Sequence, residues 1–235
     1  MNSESRSKPV IENIKLKFHT DNPSENITCF MKYKNSVLIL EKWYRNGRKH
    51  SCTNDIYDMF DKKHRDPNLP AVIEYYDNGN KQYEEWYQNG KAGNKLRLSL
   101  DLPTRIEYYE NGNKRFEQWF KNNKCQRSRD KDLPALIDYY EDGKVKEHSY
   151  FQNSQPCREG DLPHFICFYK NGNKKQERWF RKGHNENDLP AIIKYYENGN
   201  KKEEEWWIHG RIDRKNNLPA IVRYDENGNK MDCVF

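Results

Sequence analysis

The stretch DLPAIIKYYENGNKKEEEWW, residues 188–207, decides the fold because it has the pattern of two short strands around an Asn-Gly turn. Both flanking runs are rich in Ile, Tyr and Trp, which are residues enriched in strands. Asn-Gly suits a two-residue type I′ turn, whose central residues both need a positive φ. The stretch therefore predicts a β-hairpin, and close copies of it run through most of the chain.

The turn glycine recurs with a Leu-Pro pair before it, and successive turn glycines are 27 to 33 residues apart. A period in this range is typical of a repeat array. We number these copies 2 to 7, and a worn copy 1 occupies residues 26–60, with Asn35-Ser36 in place of Asn-Gly. The turn glycines are Gly79, Gly112, Gly143, Gly172, Gly199 and Gly228, and the Leu-Pro pairs begin at Leu69, Leu102, Leu133, Leu162, Leu189 and Leu218.

A second turn, rich in Gly or Asn, follows the hairpin in most copies. It is found at Asn46-Gly47, Asn89-Gly90, Asn122-Asn123, Lys182-Gly183 and His209-Gly210. Each copy then has the order strand, turn, strand, second turn. The sequence predicts an all-β fold: an elongated, single-layer antiparallel meander of about seven repeated hairpins over residues 26–235. Residues 1–25 are expected to be a leader with at most one strand.

The turn type predicts which residues share a face of the sheet. A two-residue turn at Asn78-Gly79 pairs Tyr75 with Gln82, Ile73 with Glu84 and Ala71 with Trp86. These positions carry the same residue types from copy to copy, so we predict one repeated structural face that holds the array together. The residues predicted for this structural face are Ile73, Tyr75, Glu84, Trp86, Trp119, Trp179 and Trp206.

The other face varies between copies and is predicted to be solvated or to bind a partner. One position on it changes sign along the chain, from Glu74 and Glu107 to Lys194 and Arg223. This order suggests a partner, or a second copy of the chain, with the opposite order of charges. The predicted partner-binding residues are Tyr87, Phe120, Arg178, Phe180, Lys194, Trp207 and Arg223.

The segments YYDNGNKQYEEWYQNGK (residues 75–91) and YYENGNKKEEEWWIHGR (residues 195–211) resemble divergent MORN-type repeats. The Leu-Pro insertion and the scarcity of glycine depart from the usual MORN pattern. The whole form, in a chain rich in Asn, Lys, Ile and Tyr, is similar to repeat proteins of giant DNA viruses. The resemblance implies a sheet of successive hairpins that acts as an interaction scaffold, with viral or host protein partners in the cytoplasm.

Two features invite a chemical interpretation. The recurring glutamate would look catalytic alone, but an enzyme needs one constellation, so we predict a carboxylate that anchors Tyr hydroxyls, Trp N–H groups or basic neighbours. The segment 147–169 breaks the pattern most strongly. Its His148, Cys157, His164 and Cys167 match no standard zinc spacing, and we predict no metal and no cofactor. Worn packing and a partner-specific site remain the two alternatives for this segment.

Composition limits the class of function. The chain has 42 basic and 36 acidic residues, a net charge of +6, and 14% aromatic residues. Charges of both signs alternate, and no stretch is long and apolar enough to span a membrane. We predict a non-enzymatic scaffold for protein–protein interaction in the cytoplasm, with self-association left open. The alternative is an accessory RNA-binding subunit that uses the basic and aromatic variable face.

Overall fold

The computed structural model of the chain contains two compact units, Met1–Asn123 and Lys124–Phe235. The second turns Asn46-Gly47, Asn89-Gly90 and Lys182-Gly183, Asn35 of the worn turn, and most of the predicted leader lie outside the described residues. The structure describes residues 11–19, 26–34, 36–45, 48–49, 69–88, 91–93, 97, 99–127, 132–180 and 188–235.

Strands dominate both units, and helical backbone is confined, among the described residues, to Arg97 and Ser99. The first unit contains β1 (Ile11–His19), β2 (Asn26–Lys34), β3 (Val37–Arg45), β4 (Arg48–Lys49), β5 (Val72–Tyr75), β6 (Lys81–Glu85), β7 (Tyr87–Gln88), β8 (Lys91–Ala92), β9 (Arg105–Tyr108), β10 (Lys114–Gln118) and β11 (Phe120–Lys121). The second unit contains β12 (Lys124–Cys125), β13 (Leu136–Tyr139), β14 (Val145–Ser149), β15 (Phe151–Gln152), β16 (Gln155–Pro156), β17 (Phe165–Phe168), β18 (Lys174–Arg178), β19 (Ile192–Tyr195), β20 (Lys201–Glu205), β21 (Trp207–Ile208), β22 (Arg211–Ile212), β23 (Ile221–Tyr224) and β24 (Lys230–Val234).

The main sheet of each unit is an antiparallel meander. In the first unit the order is β1-β2-β3-β5-β6-β9-β10, and in the second it is β13-β14-β17-β18-β19-β20-β23-β24. The second turns make separate two-stranded sheets, among them β7-β8, β15-β16 and β21-β22. The predicted all-β meander of repeated hairpins is therefore confirmed.

The first turn of copies 2 to 7 differs from the predicted type I′ turn. In copy 2, Tyr76 N–H donates to Asn80 O (2.8 Å) and Gly79 N–H donates to Tyr76 O (2.9 Å), so the loop holds three residues. Gly79 has a positive φ of 86°, but Asn78 before it does not. Asn78 uses its side chain to accept a hydrogen bond from Asn80 N–H (2.9 Å). The predicted two-residue turn is wrong because one left-handed glycine closes the longer loop.

A β-bulge restores the predicted strand register. Glu74 pairs with Tyr83 and Ile73 pairs with Glu84, which leaves Gln82 as an extra residue. The bulge offsets the one-residue shift that the longer loop introduces, so the predicted pairing of Ile73 with Glu84 is confirmed. Tyr75 pairs with Lys81 instead of the predicted Gln82. The same irregularity recurs in the first hairpins of copies 3 to 7.

The two-residue turn with two positive φ angles occurs in the second hairpin instead. Asn153 (φ 51°) and Ser154 (φ 62°) join β15 to β16, where Gln152 pairs with Gln155. His209 (φ 50°) and Gly210 (φ 79°) join β21 to β22 in the same way. Asn, Ser and His tolerate this backbone where Gly is absent because their short or polar side chains suit turns.

The core of each unit is built mainly from residues of the repeated face. Of the residues predicted for that face, Ile73, Glu84, Trp86, Trp119 and Trp206 are buried, whereas Tyr75 and Trp179 are half-buried. The small residue after Leu-Pro is also buried, as at Ala71, Ala135 and Ala220. A small residue near each large Trp allows the indole ring to pack against the strand.

Candidate functional site

The recurring glutamate is buried and bound through both carboxylate oxygens. Glu84 is 4% exposed, and Lys81 Nζ donates to its Oε1 (2.6 Å). The hydroxyl of Tyr108, in the next copy, donates to its Oε2 (2.6 Å). A Tyr hydroxyl and a basic neighbour are the partners that the sequence predicts for this residue. The second unit repeats the arrangement in Lys174, Glu177 and Tyr195 and in Lys201, Glu204 and Tyr224.

Within each unit, the Tyr-Tyr-x-Asn-Gly-Asn motif joins a copy to the following one. In copy 6, the Tyr196 hydroxyl donates to Tyr224 O (2.9 Å). The side-chain amides of Asn198 and Asn200 both donate to Glu226 O, at 2.9 and 2.7 Å. Copies 2 and 5 make the same contacts with the copies after them. The motif is thus explained by contacts between copies.

An arginine after the second hairpin also connects copies, and the sequence analysis missed it. The Arg214 guanidinium carbon lies 3.7 Å from the centre of the Trp206 ring. Its Nε donates to Asp188 Oδ1 (2.9 Å), and its Nη1 donates to Pro219 O (3.4 Å) in the next copy. The hydrogen bond from Arg214 holds the pKa of Asp188 below its ordinary value. Arg158 makes the equivalent contacts with Tyr150, Asp132 and Pro163.

The irregular segment replaces one repeated interaction by another. At the contact between copies 4 and 5, Val145, His148 and Phe168 stand at the positions of the Lys, Glu and Tyr described above. The His148 and Phe168 rings meet edge to face, with centroids 5.3 Å apart. Burial, together with nearby arginines, lowers the pKa of His148. All three positions of the ion-paired cluster have therefore changed together, which favours altered packing as the interpretation of this segment.

The His and Cys side chains of this segment have separate partners. His164 Nδ1 accepts a hydrogen bond from Phe180 N–H (2.9 Å), and the Cys167 thiol donates to Glu147 Oε2 (3.3 Å). Burial and the Glu147 carboxylate raise the pKa of Cys167 to about 11, so the thiol is protonated at neutral pH and is a poor nucleophile or metal ligand. In the described part of the chain, no group of three His, Cys, Asp or Glu side chains is placed to hold a metal ion.

Two grooves lie in the described parts of the units. The groove in the second unit has a volume of about 170 Å³ and is lined in part by Tyr150 and Cys157. This volume is below the usual range of small-molecule pockets, which begins at about 300 Å³. The groove in the first unit, about 380 Å³, is lined by charges of both signs. Among these, Arg105 Nη2 and Glu107 Oε1 pair with each other at 2.7 Å.

The two basic residues at which the variable face changes sign are neutralised within the chain. Lys194 Nζ lies 2.7 Å from a carboxylate oxygen of both Glu203 and Glu205. Arg223 Nε lies 2.8 Å from Glu203, and its Nη1 lies 2.9 Å from Asp232. Hydrogen bonds from Lys194 and Arg223 outweigh burial and hold the pKa of Glu203 well below its ordinary value. Both cations are therefore already ion-paired within the chain.

The aromatic residues predicted to bind a partner differ in exposure. Tyr87 is half-buried and its hydroxyl donates to Glu85 Oε2 (2.7 Å), and Phe120 is also half-buried. Trp207 is 39% exposed and Phe180 is 63% exposed. These two side chains, both in the second unit, are the predicted aromatic residues most accessible to another molecule.

No family model matches the chain, and no curated protein matches it either. The fold and the contacts between copies define the class on their own: an all-β protein of repeated hairpins, in which hydrogen bonds join neighbouring copies within each unit. Within the described residues, no helix has the length and apolar character needed to cross a membrane.

Proposed function

We propose that the chain is a non-enzymatic repeat scaffold that binds protein partners. The observation that carries the proposal is the exposure of Phe180 and Trp207 on the variable face, directly after the recurring Trp of their copies. Large exposed aromatic side chains are the commonest anchors of protein–protein interfaces. The resemblance to MORN-type repeats supports the same function, and a viral origin with partners in the cytoplasm is part of the proposal.

The neutralisation of Lys194 and Arg223 speaks against the alternative of RNA binding through these residues. A phosphate backbone needs accessible cations, and here Glu203 and Glu205 lie beside Lys194, and Glu203 also lies beside Arg223. Proteins that bind single strands combine stacking aromatics with a continuous basic groove. The second unit supplies exposed aromatics, but Lys194 and Arg223 on this face are paired with carboxylates.

Affinity purification from native cells, with and without nuclease, tests the proposal. We expect protein partners that survive nuclease treatment and are reduced by a Phe180→Ala, Trp207→Ala double variant. Leu218→Ala is the matched control. Leu218 is about as exposed as Trp207, at 40%, but it belongs to the Leu-Pro pair of the next copy. Partners that all disappear with RNA would favour the alternative function, and the absence of any partner would contradict both.

A further inference from the structure

An aromatic and cationic patch lies on the variable face of the second unit. The ring centroids of Phe151 and Phe165 are 5.7 Å apart, and those of Phe165 and Phe180 are 6.1 Å apart. The Arg178 guanidinium carbon lies 5.0 Å from the centre of the Phe165 ring. We call these four residues the aromatic patch, and the exposed Phe180 ring brings it to the surface.

The side chain of Arg178 has no hydrogen-bond or ion-pair partner among the described residues. Glu205, two strands away, already has other partners: it pairs with Lys194 Nζ (2.7 Å) and accepts a hydrogen bond from Trp207 Nε1 (3.1 Å). Both oxygens of Glu147 are likewise occupied, by a serine hydroxyl at 2.7 Å and a cysteine thiol at 3.3 Å. Lys194 and Arg223 on this face are ion-paired, whereas the charge of Arg178 has no carboxylate partner.

The guanidinium of Arg178 is only partly accessible. Its Nε is buried without a hydrogen-bond partner, whereas Nη1 and Nη2 are not among the buried unpaired atoms. A carboxylate from another molecule can therefore approach the two terminal nitrogens side by side, in the paired geometry that arginine favours. Such a partner would neutralise a charge that now rests against an aromatic ring.

The exposed ring of the patch is held in place by its backbone. His164 Nδ1 accepts a hydrogen bond from Phe180 N–H at 2.9 Å. Thr104 Oγ1 accepts the equivalent bond from Phe120 N–H at 2.8 Å in copy 3. The unusual histidine thus fixes the start of the segment that carries Phe180. A fixed anchor costs less conformational entropy on binding.

We propose that the aromatic patch binds a peptide segment of a partner protein that carries a carboxylate beside an aromatic or apolar side chain. This inference rests on the proposed protein-binding function and names the chemistry of the partner. A single carboxylate satisfies Arg178, and an apolar neighbour covers Phe180. A polyphosphate strand fits less well, because it would continue from the patch towards Glu147, Glu203 and Glu205.

Arg178→Gln is the most informative variant. Gln118 occupies the equivalent position in copy 3, so glutamine is compatible with this strand. Lys175→Gln is its control, because Lys175 is a cation on the same strand that lies over a ring outside the aromatic patch. Its Nζ is 5.6 Å from the centre of the Tyr169 ring. Phe180→Ala removes the exposed anchor, and Leu162→Ala is its control because Leu162 is also exposed, at 44%.

Selection of phage-displayed random dodecapeptides on the full chain provides the ligand, and titration calorimetry then measures its affinity. We expect selected peptides to carry Asp or Glu next to an aromatic residue. Arg178→Gln should weaken the best peptide by about tenfold or more, the usual effect of losing a charged hydrogen bond. Phe180→Ala should weaken it by at least about fivefold. The two control variants should bind like the original chain.

Several results would overturn the inference. These are the selection of basic peptides, no selective enrichment, or affinities that survive both Arg178→Gln and Phe180→Ala. Oligothymidine binding that depends on Arg178 would assign the patch to nucleic acid, and self-association that depends on Arg178 would assign it to a second copy. If native protein partners persist with both variants, the scaffold function stands and the patch alone is excluded. If no native partner exists, the proposed function itself fails.

Discussion

Removal of the Tyr108 hydroxyl tests whether the buried carboxylates lock neighbouring copies together. Tyr108 donates to Glu84, which is 4% exposed, and a hydrogen bond to a charged group contributes about 1.5–3 kcal/mol. Lys81 remains bound to Glu84 in Tyr108→Phe, but its side chain is 49% exposed and its ion pair is screened by solvent. We therefore expect Tyr108→Phe to lower the free energy of unfolding of the first unit by about 2 kcal/mol.

Tyr76→Phe is the matched control, because it removes the same atom from the same hairpin pair. The Tyr76 hydroxyl donates to an uncharged acceptor, Tyr108 O, at 2.7 Å. The expected loss is about 1 kcal/mol, since hydrogen bonds to neutral groups contribute about half as much. In a Glu84→Gln background, the effect of Tyr108→Phe should fall towards that of Tyr76→Phe.

Urea unfolding followed by tryptophan fluorescence gives the overall effect, at an unchanged dependence on denaturant. Amide hydrogen exchange in β6 and β9 reports the local opening between copies 2 and 3. Equal losses for Tyr76→Phe and Tyr108→Phe, or a larger loss for Tyr76→Phe, would show that the carboxylate adds nothing beyond an ordinary hydrogen bond. The explanation of the recurring glutamate would then be wrong.

Three further predictions concern other residues. Trp119→Ala should lower the free energy of unfolding by about 3–5 kcal/mol, because the side chain is 3% exposed, and a silent result in denaturant melts would mean that the two faces are assigned the wrong way round. Burial lowers the pKa of His148 in the folded chain, so the unfolded chain binds the proton first and the stability should fall as the pH drops below about 6.5. In thermal melts measured across pH, His148→Gln should reduce this loss of stability, and an unchanged pH dependence would exclude His148 as its source. Gly93→Ala should destabilise far more than Gly79→Ala, since a Cβ at Gly93 would lie 2.2 Å from Phe120 O whereas Gly79 has open space; equal thermal shifts would refute the steric argument.

The strand pairing followed from the sequence although the turn type did not. The pairing of Ile73 with Glu84 could be predicted because the same residue types recur at both positions in the other copies. A strand register that put the two residues on opposite faces of the sheet would expose one of them. The turn at Gly79 could not be derived in the same way, because Asn-Gly is compatible with more than one loop. A three-residue loop with a bulge at Gln82 places the same side chains on the same face.

The arginines that clamp the copies were missed although their spacing is regular. Arg158 and Arg214 both lie eight residues after Tyr150 and Trp206, and both lie four residues before the next Leu-Pro pair. That constant spacing was available in the sequence, but its meaning depends on the stacking that the structure displays.

A departure from the repeat is not by itself a sign of function. His148 looked exceptional in the sequence, yet Phe168 has changed with it, and the two rings meet across the contact between their copies. Such a compensated change preserves packing and leaves no group in need of a partner. Arg178 differs in kind, because nothing around it has changed to balance its charge, and its Nε remains buried without a hydrogen bond. In a protein whose repeated residues are occupied by contacts with neighbouring copies, an uncompensated change of this kind is the stronger indicator of a site for another molecule.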